Sequence, residues 1–208
     1  ADYSTYIETI PTDIDAVFVA LGGTDAVNFM NQYEAAGRKT PIVAGPIAFD
    51  HTILNKVEDL PDSFVGTISG GPVADDVPTP EWKTFSESYT HLYPDGLRSP
   101  TLTMYAYYLN TKAALLALRQ IEGDLSNDQT RFKTALSNLE FKSPTGPVKL
   151  DNHRHAIANT FVTAIDKNSE GQFYIKHVQT NAAVNQTLGL SEADYLRIGP
   201  FGRDNPPC

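Results

Sequence analysis

The chain has 208 residues, enough for one large domain or two small ones. Apolar residues make up 41% and charged residues 20%, a globular balance that argues against a disordered or fibrous chain. Its 25 acidic and 16 basic residues leave a formal charge of −9, which argues against a general nucleic-acid binder, and no apolar run reaches the length of a membrane span.

Tyr3, Tyr6, Ile7 and Ile10 recur at helical spacing, and Pro11 ends that first helix. Val17-Phe18-Val19-Ala20-Leu21 reads as a buried strand that runs into Gly22-Gly23-Thr24. Thr24 is expected to be the hydroxyl N-cap of a helix over residues 24–36, closed by Gly37. Pro41-Ile42-Val43-Ala44-Gly45 is a second strand, residues 52–57 a short helix, and Phe64-Val65-Gly66-Thr67-Ile68 a third strand. This order predicts an α/β fold with a parallel sheet covered by helices on both faces.

Ser69-Gly70-Gly71-Pro72 and Ala74-Asp75-Asp76-Val77-Pro78 read as a linker. Thr79 then caps a helix with Pro80 at its first position, Glu81 in its first turn and Trp82, Phe85 and Tyr89 as its apolar stripe. Tyr93-Pro94-Asp95-Gly96 is a turn. The longest helix, 101–121, is apolar nearly all round and is expected to be buried on more than one side. Ser126-Asn127-Asp128-Gln129 has the form of a capping box for a helix with Phe132, Leu136 and Leu139 on one face. Residues 146–151 form a short strand, and 156–165 with 172–179 an antiparallel hairpin across Asn168-Ser169-Glu170-Gly171. Beyond Asn181 the chain reads as irregular. The block 79–141 has several apolar faces and no strand of its own, like a layer missing its sheet.

The Gly22-Gly23-Thr24 turn lacks the spacing of a dinucleotide fingerprint, and no P-loop is present. It still aims backbone N–H groups and a helix N-terminus beyond the end of a strand, which suits a carboxylate or phosphate. The alternative is a tight strand-to-helix turn without a ligand. Gly45-Pro46-Ile47 and Phe49 lie at the same sheet edge under parallel topology and offer an apolar wall. Asp50 is expected to cap the short helix together with Thr52. Asp50-His51 could imitate a hydrolytic pair, but no serine or cysteine sits in a nucleophile elbow. Asp151, His153 and His155 hint at a metal, yet their turn composition and the intervening Arg154 favour an exposed hairpin. Tyr105, Tyr107 and Tyr108 are expected by spacing to be core residues, ligand contact being the alternative reading. Cys208 is the single cysteine, so no internal disulfide forms. No charged-then-apolar leader opens the chain, as expected also of a processed N-terminus. No catalytic group, metal or cofactor is expected.

Three stretches carry a family resemblance: residues 15–23 (DAVFVALGG), residues 108–114 with Ala117-Leu118, and above all residues 141–151 (FKSPTGPVKLD). Together they resemble the periplasmic solute-binding proteins of branched-chain amino-acid-type ABC importers, the type I two-lobed fold. The resemblance covers residues 1 to about 190 and implies the C-terminal portion only. It assigns residues 1–70 to the second lobe, 71–141 to helices of the first lobe, 142–190 to returning second-lobe strands and hairpin, and 191–208 to an irregular tail. It implies no enzymatic activity, a periplasmic location, an ABC permease as partner, and a missing N-terminal lobe. Helix faces left without a sheet suggest self-association, a homodimer being one form. A ligand-sensing domain of the same fold in a signalling receptor, or a binder of branched-chain or other amino acids, is an alternative function. The ligand contacts implied are Leu21, Gly22, Gly23, Thr24, Gly45, Pro46, Ile47, Phe49 and Tyr108. Amino-acid binders of the family commonly carry an acidic side chain at the position of Ile47, to pair with the ligand ammonium. Isoleucine there favours an aromatic or other organic acid over an amino acid.

Overall fold

A computed structural model describes residues 1–54, 62–187, 189–202 and 204–205. The chain divides into two compact units. Unit 1 comprises Ala1–Lys112, Ser143–Thr145 and Thr160–Asn181; unit 2 comprises Ala113–Lys142, Gly146–Asn159 and Ala182–Cys208.

Unit 1 begins with helix α1 (Ser4–Thr9), strand β1 (Val17–Val19), helix α2 (Gly23–Ala35), strand β2 (Ile42–Ala44) and a single helical turn α3 (His51–Leu54). Residues 55–57 of the expected short helix lie outside the described residues. Gly37 stops α2 as expected: at φ +67 its N–H reaches the Glu34 carbonyl at 2.8 Å. Arg38 then turns back to α1, where its guanidinium donates to the carbonyls of Ile7, Glu8 and Ile10. The last carbonyls of a helix lack the regular internal partner, and that of Ile7 accepts the Ile10 N–H at 3.3 Å as well.

The third strand is displaced from its expected place. Residues 62–64 form a 3-10 turn, Gly66 has φ +89, and β3 is Ile68–Gly71. The apolar run 64–68 is therefore mostly the approach to the strand, and two glycines read as linker are strand residues. Tertiary pairing decides this: β3 lies parallel to β2 and antiparallel to β6 (Ala156–Lys167), with Ile68 opposite Ala164 and Gly71 opposite Phe161. In unit 1 the strand order is β1-β2-β3-β6, and β7 (Phe173–Val184) also pairs with β6. The β6–β7 hairpin closes over Asn168–Gly171 as expected, with the Gly171 N–H on the Asn168 carbonyl at 3.0 Å and the Asn168 N–H on the Gln172 carbonyl at 2.9 Å.

Alternate residues of the strands face opposite ways. Val19, Ile42 and Ala44 are buried in the main core with Phe29, Met30 and Tyr33 of α2. On the other face Phe18, Val43 and Ile68 stand opposite one another across three strands, and Phe18 is 69% exposed.

Helix α4 (Pro80–Leu92) starts at Thr79, whose hydroxyl oxygen accepts the Trp82 N–H at 3.1 Å. Trp82 is buried, and its indole N–H donates to the Asp75 carbonyl at 3.0 Å. Helix α5 (Leu102–Gln120) runs out of unit 1 into unit 2. Burial on several sides was expected of it; Tyr105 and Ala117 are buried, but Leu115 is 61% exposed. The stripe that packs is narrower than the apolar composition implied.

Unit 2 holds α6 (Ser126–Ser137), β4 (Glu140–Ser143, whose last residue belongs to unit 1), β5 (Gly146–Leu150), the first residues of β6, and α7 (Glu192–Ile198). β5 pairs antiparallel with the start of β6, Leu150 opposite Ala156. The expected capping box does not form. Asp124 accepts the Ser126 N–H at 3.0 Å, and residues 127–129 have φ of 52, 52 and 62. Hydrogen bonds from Ser126 hold the Asp124 carboxyl down at about 2. The tail is not irregular throughout, because Ser191 caps α7 by accepting the Asp194 N–H at 3.1 Å. Cys208 lies outside the described residues.

Candidate functional site

Parallel pairing puts the carboxyl ends of β1, β2 and β3 at one edge of the sheet in unit 1. The β1 end is built on backbone alone. Gly22 is the N-cap of α2, extended at φ −140 and ψ 167, and no side chain caps the helix. Thr24 was expected to do so. It is instead the second helical residue and is exposed, so its hydroxyl sits past the cap position. Gly23 is the first helical residue at φ +58, a conformation that favours glycine. The partial positive charge of a 13-residue helix is thus presented at a bare glycine pair.

The β2 end is a tight turn. The Gly45 N–H donates to the Val19 carbonyl at 3.1 Å, tying the loop to β1, and the Ala48 N–H donates to the Gly45 carbonyl at 3.1 Å. Pro46 and Ile47 occupy the two central positions, the first of which suits the fixed φ of proline.

Two glycines let the three ends interlock. A Cβ placed on Gly22 would lie 3.1 Å from Ile47 Cδ1, so the isoleucine side chain rests against the Gly22 backbone. Ile47 nevertheless stays 47% exposed. A Cβ on Gly71 would lie 2.6 Å from Pro46 Cβ, inside any real contact. The structure therefore brings together Gly22, Pro46 and Ile47 from among the expected contacts. Gly71 joins them, although a glycine-rich linker reading hid it. The available signal was a glycine inside a strand, which marks the close approach of another chain segment.

Gly23, Thr24 and Gly45 lie in the same two turns, whereas Leu21, Phe49 and Tyr108 pack elsewhere. Leu21 packs partly buried against the main core. Phe49 is only 2% exposed, its ring 6.2 Å from that of Phe64, and is a core residue. Tyr108 belongs to an aromatic group on α4 and α5. Its ring lies 4.6 Å from Phe85, and Lys112 Nζ stands 5.7 Å from its centre.

The Asp50 carboxylate accepts the Thr52 N–H at 2.8 Å and the Thr52 hydroxyl, the capping role expected of it. His51 is buried and directs Nε2 to the Asp75 carboxylate at 2.7 and 2.9 Å. Asp75 also accepts the Ile175 N–H at 2.8 Å. His51 and Asp75 thus brace the linker against β7. Asp151 accepts the N–H groups of His153 and His155, each at 2.8 Å, and His153 Nε2 lies 2.7 Å from Glu192. Among the described residues no group of three or more His, Cys, Asp or Glu is placed to hold a metal ion. A separate groove of about 460 Å³ in unit 2 is lined by polar groups of both signs, among them Glu140, Lys149, Asp151 and Arg154. It lacks the largely apolar lining usual in small-molecule sites.

The fold has counterparts among known proteins. A family profile described as periplasmic binding protein matches residues 1–171. The chain belongs to the periplasmic binding protein family. No curated protein matches the sequence. Among solved structures, an ABC transporter substrate-binding protein from Sphaerobacter thermophilus shares 26% identity at a TM-score of 0.79, over 88% of this chain and 50% of that one. A solute-binding protein of an ABC transporter from Rhodopseudomonas palustris BisB5, in complex with 3,4-dihydroxybenzoic acid, shares 20% at 0.75, again over 88% and 50%. A leucine-, isoleucine-, valine-, threonine- and alanine-binding protein from Brucella ovis shares 18% at 0.73, over 88% and 48%. The chain spans about half the length of the solved relatives it matches. No helix among the described residues is long and apolar enough to cross a membrane.

Proposed function

We propose that this chain is the ligand-binding part of an extracytoplasmic solute receptor for an ABC importer, and that it takes a small aromatic or other organic acid in preference to an amino acid. The observation that carries the reading is Ile47, half-exposed and resting on Gly22 at the N-terminus of α2. The helix end and bare glycines favour a carboxylate. The isoleucine offers an α-ammonium no countercharge, and burying that ammonium against it would cost several kcal/mol. The aromatic acid bound by the Rhodopseudomonas palustris relative supports the same ligand class. The second lobe of the family is read as residues 1–70 with 142–190, and the first lobe as largely supplied by sequence outside this chain. Binding would close the two lobes on the ligand, and the closed form would dock on a membrane permease.

The test is calorimetry on the intact polypeptide that carries this chain, with 3,4-dihydroxybenzoate and isoleucine as probes. Wild type is expected to bind the aromatic acid at least tenfold tighter, and Ile47→Glu to reverse that order. A wild-type preference for isoleucine would overturn the ligand class.

A further inference from the structure

We infer that Gly71, at the end of β3, is a positioning residue that sets where Pro46 and Ile47 stand, and through them the ligand selectivity of the strand-end site. The inference rests on the ligand-binding reading above and adds a determinant that touches no ligand.

Gly71 is not needed for its backbone conformation, because it is absent from the positive-φ residues, unlike Gly23 and Gly66. An L-residue could adopt its dihedrals. What excludes a side chain is space. A Cβ at Gly71 would stand 2.6 Å from Pro46 Cβ, 3.4 Å from Pro46 Cγ and 3.8 Å from Pro46 Cα. The obstructing atom is the ring carbon next to the backbone rather than the end of a flexible side chain, so it cannot rotate away. Either β3 or the 45–48 turn must move.

The two are not equally free. Gly71 is held in the ladder opposite Phe161, a fully packed core residue. Val73 and Ala74, just beyond it, are buried in the same core. The turn is tied to β1 by the Gly45–Val19 bond and closed on itself by the Ala48–Gly45 bond; Ala48 is anchored in the core, but Ile47 between them is half-exposed. Displacement therefore falls on Pro46 and Ile47. Ile47 Cδ1 already lies against Gly22, so the wall over the α2 N-terminus shifts with the turn.

The neighbouring glycine supplies the control. A Cβ at Gly70 would meet only the Phe161 carbonyl oxygen, at 3.4 Å, an ordinary contact. The variants Gly71→Ala, Gly70→Ala and Gly71→Ala with Pro46→Gly are made in the intact polypeptide. The Ile47 δ1-methyl resonance and affinities for 3,4-dihydroxybenzoate and isoleucine are then measured. Gly71→Ala is expected to move the methyl resonance and change the ratio of the two affinities at least fivefold. Gly70→Ala is expected to do neither. Removing the obstructing carbon with Pro46→Gly should return the Ile47 methyl toward its wild-type position, which a mere loss of strand stability would not allow. An unmoved methyl resonance, an unchanged affinity ratio, or a double variant no closer to wild type than Gly71→Ala overturns the inference. If wild type binds neither probe, the ligand-binding reading fails on its own account, and the methyl resonances still decide whether Gly71 positions Ile47.

Discussion

Tyr105 shows how much one hydroxyl can hold in a dry place. Its ring is buried against Trp82 and Phe85, while its oxygen meets the hydroxyls of Ser143 at 3.0 Å and Thr145 at 2.7 Å. The Thr145 N–H also points to it at 3.3 Å. One side chain of α5 thus fixes the β4–β5 turn, and Thr79 helps by donating its hydroxyl to the Pro144 carbonyl at 2.8 Å. Tyr105→Phe keeps the packing and takes a partner from two buried hydroxyls. The expected loss is about 1–2 kcal/mol in urea unfolding. Burial also pushes the Tyr105 phenol above its ordinary value, because the phenolate would be poorly solvated. With the folded value raised, the associated stability is intact below ~10 and is lost as pH climbs through the folded-state value. Wild type should lose stability over that alkaline window more steeply than Tyr105→Phe.

Elements whose boundaries are set by local chemistry were legible in the sequence. Thr79-Pro80 begins α4 and Gly37 ends α2 because a cap or a positive φ is a property of a few consecutive residues. Residues 68–71 were not, since the pairing that makes them a strand comes from β6, far along the chain. The same division runs through the site. Gly22-Gly23 and Gly45-Pro46-Ile47 announced themselves by glycine and proline at strand ends, whereas Gly71 matters only through a contact with Pro46. The burial of Phe49 was equally invisible, because side-chain direction in a turn depends on the fold around it. Helix α7 is an element that the tail composition concealed, and it carries a pH-dependent tie. Glu192, in its first turn, accepts from His153 and holds that imidazole above its ordinary value. A raised histidine favours the folded state at low pH: the contribution is present below about 6.5 and fades as pH rises through the folded-state value. Glu192→Gln is expected to lower the His153 value toward an ordinary histidine, as followed by ring-proton resonances. Amide protection in α7 should then lose its dependence on pH near neutrality.

At the scale of the molecule, the described residues form two cores of very different size. That of unit 1 gathers residues from α1 through β7, including Phe29, Tyr33, Phe49, Trp82, Tyr105 and Phe161. That of unit 2 consists of Ala117, Ile121 and Ala135, with Leu118, Phe132 and Leu136 packed partly buried against them. Buried apolar area supplies most of the free energy that opposes local opening. Hydrogen exchange should accordingly be slowest in α2 and β2 and faster by orders of magnitude in α6. Equal protection of α6 and α2 would contradict this ranking.

The pairing of β3 with β6 also has a consequence in time. Residue 164 follows residue 68 by roughly a hundred positions, yet the two are direct partners in the ladder. A ribosome adding about 5–20 residues each second leaves β3 without that neighbour for something like 5–20 seconds. Through that interval the nascent chain presents a strand with one open side, the kind of edge that other chains can pair with. Gly70 and Gly71 make that edge short and poor in side chains, so Gly71, which admits Pro46 in the finished protein, also helps make its unfinished form a weaker template for aggregation.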